Sequence, residues 1–148
     1  MVVKLQGIRA KVDEKLDGLK AKVATVKGLI AFYLFGSYAS GRATTLSDID
    51  LAYLPKESLE ADEKIALDKK LYIRLSQFFR TDDITLINLR EAPLAIAYEI
   101  LQGKLIFCRN HEDLAAFKER ILALYPEVKR LHEQFFNSYS KGLKKRYG

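Results

Sequence analysis

Val2, Leu5, Ile8, Val12, Leu16, Leu19, Val23 and Val26 recur every three or four residues. That spacing stacks apolar side chains on one face of a helix, so a long amphipathic helix is expected over residues 1–27. The pattern then changes. "LIAFYLF", Leu29 to Phe35, is continuously apolar and rich in aromatic and branched residues, and Gly36 follows it, which reads as a buried strand. "DIDLAYL" is a second strand stopped by Pro55. Leu59 to Phe79 reads as a helix, with Glu57, Glu60, Asp62 and Glu63 around its start, where the positive end of the dipole favours them. "DITLINL", Asp83 to Leu89, is a third strand, Pro93 opens a short helix through Gln102 that Gly103 closes, and "KLIFC" is a fourth strand. Asn110 is the expected N-cap of a final helix with Glu112 and Asp113 in its first turn. That helix runs over residues 110–146, and Pro126 is placed to kink or divide it.

Strands alternating with helices predict an α/β (α+β) fold, a small mixed sheet packed with helices and flanked by long N- and C-terminal ones. With 148 residues, one domain over 1–148 is expected, its core at 29–108. Seven residues is the longest apolar run, far short of a membrane span. The start "MVVKLQGIRAK" has no signal-peptide character, and the single Cys108 sets up neither a disulfide nor a metal knuckle. A cytoplasmic protein is expected. The net charge of +6 divides as +4 over residues 1–27, −2 over 28–108 and +4 over 109–148. Basic ends suit an acidic partner, but opposite charges are interleaved there and no aromatic stacking motif stands out. Nucleic acid is therefore not expected as a direct substrate.

The candidate chemistry lies in "FGSYASGRATTLSDIDL". Alternation puts Asp48 and Asp50 on one strand face, about 7 Å apart along the backbone. Carboxylates that close repel each other unless a cation intervenes. Mg²⁺ suits them, because it takes a few carboxylate oxygens and leaves positions for phosphates and water, and two such ions would bracket a phosphoryl centre. Upstream, Gly36 lets the backbone approach a phosphate and Ser37 adds a hydroxyl at an expected helix start. Gly41 permits a further turn, and Arg42 is placed to add positive charge. A phosphate cradle beside a metal-binding pair describes nucleotidyl transfer.

Gly36-Ser37, ten intervening residues, then Asp48-Ile49-Asp50 resembles the signature of the DNA polymerase β-like nucleotidyltransferase superfamily. With "SDIDLAYL" and "INLREAPLAIAYEILQGKLIFC", the chain looks like the minimal nucleotidyltransferases (MNT family) over roughly residues 29–108. The resemblance implies the nucleotidyltransferase fold and transfer of AMP from Mg²⁺-bound ATP to a hydroxyl. It also implies a partner, a helical HEPN-family toxin ribonuclease, which such an antitoxin silences by adenylylating a tyrosine. By the same resemblance Asp48 and Asp50 are catalytic and bind metal, while Gly36, Ser37 and Arg42 bind the nucleotide.

The superfamily usually adds a third aspartate on a neighbouring strand. Aligning back from "LREAP" puts Thr85 at that position, and Asp83 stands two residues earlier on the same face. Two readings stay open: Asp83 serves as the further metal ligand, or the site binds Mg²⁺ and nucleotide with little turnover. The second describes a binding module that neutralises its partner by complex formation. An antibiotic-modifying enzyme is the poorer third, since an added substrate domain has little room. Ser40 stands where relatives often carry Arg. Tyr38 could cover a nucleotide base. His111 and His132 have no partner at ligand spacing, and Phe117, Ile121, Leu124, Val128, Leu131 and Phe135 form an apolar stripe on the last helix.

Overall fold

A computed structural model describes residues 15–36 and 48–124, together with 126, 129–130 and 133–134. Ser37, Tyr38, Ser40, Gly41 and Arg42 lie outside the described residues, as do the helix positions before residue 15 and Val128, Leu131, His132 and Phe135. The described residues form a single four-stranded sheet of β1 (Leu29–Phe35), β2 (Ile49–Pro55), β3 (Ile84–Asn88) and β4 (Lys104–Cys108), ordered β3-β2-β1-β4. β1 pairs antiparallel with β2 and with β4, while β2 and β3 run parallel. A parallel pair needs a crossover rather than a hairpin. Helix α2 (Ala61–Phe79) provides it.

The central place of β1 explains its uninterrupted apolar run, because both of its faces are covered. On one face Phe32, Leu34, Leu51 and Tyr53 meet Leu19 and Val23 of α1 (helical over residues 15–24) and Leu67, Leu71 and Leu75 of α2. On the other, Tyr33, Ala52 and Leu54 meet Ala97 and Ile100 of α3 (Leu94–Leu101) and Leu114, Phe117 and Ile121 of α4 (His111–Ala123). The C-terminal stripe is thus half accounted for: Phe117 and Ile121 pack on the sheet, and Leu124 is 44% exposed.

Element ends follow local hydrogen bonding. α2 begins at Ala61, later than the apolar pattern suggests, because Glu60 caps it and its N–H donates to Glu63 Oε1 at 3.0 Å. β3 begins at Ile84, since the Asp83 N–H turns to Thr81 Oγ1 at 3.0 Å. Asn110 caps α4 as expected, accepting from the Glu112 and Asp113 N–H groups at 3.1 Å. α4 stops at Ala123, short of Pro126. No described helix is long and apolar enough to cross a membrane.

Candidate active site

The site forms where β1 ends and β2 and β3 begin. Phe35, the last residue of β1, is the register partner of Asp50, and across the parallel pair Asp50 is the partner of Thr85. A row Phe35–Asp50–Thr85 therefore crosses this end of the sheet. Asp50 shares its strand face with Ala52 and Leu54, the side covered by α3 and α4. Asp48 stands two residues earlier, exposed, on the same face.

Gly36 turns the chain away from β1 with φ +71°, a left-handed conformation that side chains disfavour. A Cβ there would also run into Asp50 Oδ2 and come within 3.0 Å of Asp50 Cγ. The sequence suggests that this glycine admits a phosphate. The structure adds that it makes room for the carboxylate.

The electrostatics follow from this crowding. Burial raises the Asp50 carboxyl above its usual 3.8, and the charges of Asp48 and Glu99 push the same way, while a hydrogen bond from the Thr85 side chain opposes them. Thr85 thus faces Asp50 on β3 and contributes a neutral donor rather than a charge. Asp83 is exposed just before β3, and its carbonyl accepts from the Ile49 N–H at 3.0 Å, which brings its backbone beside Asp48.

Among the described residues no three His, Cys, Asp or Glu side chains converge into a closed metal cage. Mg²⁺ does not require one, because it binds through one or two carboxylates and completes its shell with phosphate and water. The crowded, half-buried Asp50 and the exposed Asp48 fit that donor set. Glu99 was not singled out by the sequence reading. Its only sequence signal is an acid in the last turn of a short, apolar helix, the end that disfavours negative charge.

The family described as polymerase beta, nucleotidyltransferase matches residues 18–112. The chain belongs to this nucleotidyltransferase family. The matched region takes in Gly36, Asp48, Asp50, Asp83, Thr85 and Glu99. Protein adenylyltransferase MntA of Shewanella oneidensis is 30% identical over 97 residues, covering 65% of this chain. The match spans 66% of that relative's own length, just under two thirds. A crystal structure of a toxin-antitoxin with AMP-PNP has a TM-score of 0.61 at 21% identity, covering 84% of this chain and 98% of that one. A structure described as tri-AMPylated Shewanella oneidensis HEPN toxin in complex with MNT antitoxin has a TM-score of 0.51 at 20% identity, covering 91% and 98%. At these identities the solved structures establish the fold, and this nucleotidyltransferase shares it.

Proposed function

We propose that the chain transfers AMP from Mg²⁺-bound ATP to a protein hydroxyl, the tyrosine of a helical HEPN-type toxin, and so acts as its antitoxin. The observation that carries the reading is the Asp48–Asp50 pair set against Gly36 at the end of β1, inside the region matched by the family. The relative named as a protein adenylyltransferase, and the fold shared with an MNT antitoxin in complex with an AMPylated HEPN toxin, support the reaction and the partner. Bound at the carboxylates, Mg²⁺, as one ion or two, would neutralise the triphosphate and favour a nucleophilic oxygen. In the transfer, the acceptor oxygen bonds to the α-phosphorus, the bond to the bridging oxygen breaks and pyrophosphate leaves, and the hydroxyl proton passes to solvent water. Asp48 and Asp50 hold the cation side of this arrangement. Gly36 leaves the turn open for the phosphates, with Ser37 and Arg42 as further nucleotide contacts and Asp83 as a further metal ligand.

One observation favours a second reading. Thr85, opposite Asp50, adds no charge, which suits a module that binds Mg²⁺ and nucleotide and neutralises its partner by association alone. Incubation with ATP, Mg²⁺ and a HEPN-type partner, followed by intact mass, separates the two. Mass gains of one or more AMP units, lost with Asp48→Asn, support transfer. A stable complex without mass change supports the binding module, and no association removes the antitoxin reading.

A further inference from the structure

The end of the sheet opposite Asp48 and Asp50 gathers charge of the other sign. A cavity of about 410 Å³ opens there between α4 and the segments that leave β2, β3 and β4. Four cations line it: Lys56 just after β2, Arg90 just after β3, Arg109 just after β4, and Arg120 on α4. Glu57 and Asp113 line it too, so four cations less two acids leave a net charge of +2. Two of the cations are fixed by neutral groups rather than by carboxylates. Arg90 Nε donates to the Pro55 carbonyl at 2.6 Å, and its guanidinium lies 5.8 Å from the centre of the Phe117 ring. Arg109 Nε donates to the Leu29 carbonyl at 3.0 Å, and its Nη2 to the Ala24 and Val26 carbonyls at 2.6 and 3.2 Å. These bonds orient both side chains without cancelling their charge. Among the described residues neither guanidinium has a carboxylate at ion-pair distance, and both Nη atoms of Arg90 are left without an acceptor. Arg120 meets Glu57 at 3.9 Å, but both side chains are more than half exposed and such a pair contributes little. Burial and the charge of Arg120 hold the Arg90 pKa below its usual value, against the opposing pull of Glu57 and Asp113. A half-buried guanidinium with a free fork is costly, and an oxyanion that accepts from that fork removes the cost.

We propose that this cavity is a second ligand site, which binds a small phosphate monoester through Arg90, with Lys56, Arg109 and Arg120 adding charge. A phosphate dianion matches the net +2 of the lining, and the planar fork of an Arg matches two phosphate oxygens. The volume of about 410 Å³ falls within the roughly 300–1,000 Å³ of small-molecule sites and takes the phosphate with a small group attached. Glu57 and Asp113 give hydroxyls on that group somewhere to donate, so a sugar phosphate fits the lining best. β2 separates Asp50 from Lys56, and the inference stands independently of nucleotidyl transfer at the carboxylate end.

The test is an NMR titration of the full chain with ribose 5-phosphate, at constant ionic strength and with EDTA present so that no metal draws phosphate to Asp48 and Asp50. The carbonyl-bonded Nε–H groups of Arg90 and Arg109 give signals inside the site, and both should shift to saturation with a Kd of about 1 mM or tighter. Lys56→Gln with Arg120→Gln, at two exposed positions, should weaken binding by about tenfold or more. Arg90→Lys keeps the charge but loses the fork, and should weaken it about tenfold as well. Ribose 5-phosphate should raise the melting midpoint of the parent chain and not that of the double variant. Parent affinity in Arg90→Lys would reduce the attraction to diffuse charge and overturn the site. If Arg90→Lys fails to fold, the double variant decides, and unchanged affinity there overturns the proposal. Shifts centred on the amides of Gly36, Asp50 and Thr85 would place the ligand at the carboxylate end and overturn it too. Inorganic phosphate binding as tightly as ribose 5-phosphate would overturn the choice of a monoester.

Discussion

Asp50 is held in a place that does not favour its charge, and this has measurable consequences. Burial and neighbouring acids raise its pKa above 3.8 in the folded state. The folded protein then holds the proton more tightly than the unfolded chain, so this group's contribution to stability is fully present below the unfolded value. It is lost as pH rises through the folded value. Asp50→Asn should accordingly melt higher than the parent protein at neutral pH without metal, and the difference should vanish in acid. Melting curves across that pH range check it, and with Mg²⁺ and ATP added the order should reverse. Gly36 is the companion constraint, combining positive φ with a carboxylate where a Cβ would stand. Gly36→Ala should cost roughly 1–3 kcal/mol through backbone strain and displacement of Asp50. Urea unfolding reads the loss, and calorimetry with Mg²⁺ and AMP-PNP should show weaker binding in the same variant.

Elements reach this site through a few specific ties. α2 is the crossover that lets β2 and β3 run parallel, and its link to the sheet is partly polar. The Tyr53 hydroxyl, on the α1/α2 face of β2, donates to Asp68 Oδ1 at 2.7 Å. Burial and the Asp68 carboxylate raise the Tyr53 pKa strongly, so it remains a donor at every physiological pH. Tyr53→Phe should cost about 0.5–1.5 kcal/mol, the net worth of one such bond, measured by chemical denaturation. At the far end of the sheet Arg109 clasps the exit of α1, with Nε on the Leu29 carbonyl at 3.0 Å and Nη2 on the Ala24 carbonyl at 2.6 Å. That clasp sets where β1 starts, and hence where it delivers Gly36.

Over the described residues the sheet separates two apolar cores, and the carboxylates lie on the side covered by α3 and α4. Damage to the opposite core should therefore lower stability without disturbing the site. Leu71, fully buried on α2, is the sharpest probe. Leu71→Ala should cost about 2–5 kcal/mol while the affinity for Mg²⁺ and AMP-PNP well below the melting temperature stays at the parent value. Paired denaturation and calorimetry check both halves. A matching loss of affinity would mean that the two layers are coupled through β2.

Much of the fold was written locally. The run Leu29 to Phe35, the acids before α2 and the Asn110 cap each state their structure within a few residues, because periodicity, capping and turn chemistry act over that range. The strand start at Ile84 was missed by one residue because a side-chain bond at Thr81 competes there with the ladder. What only the tertiary structure decided is the company Asp50 keeps. Thr85 faces it through the register of a parallel pair whose strands are joined by a whole helix. The charge of Glu99 is felt there because α3 docks, through Ala97 and Ile100, on the face of the sheet that carries Asp50. Neither neighbour is announced by sequence spacing, since sheet register and helix docking are set by how the buried faces fit together.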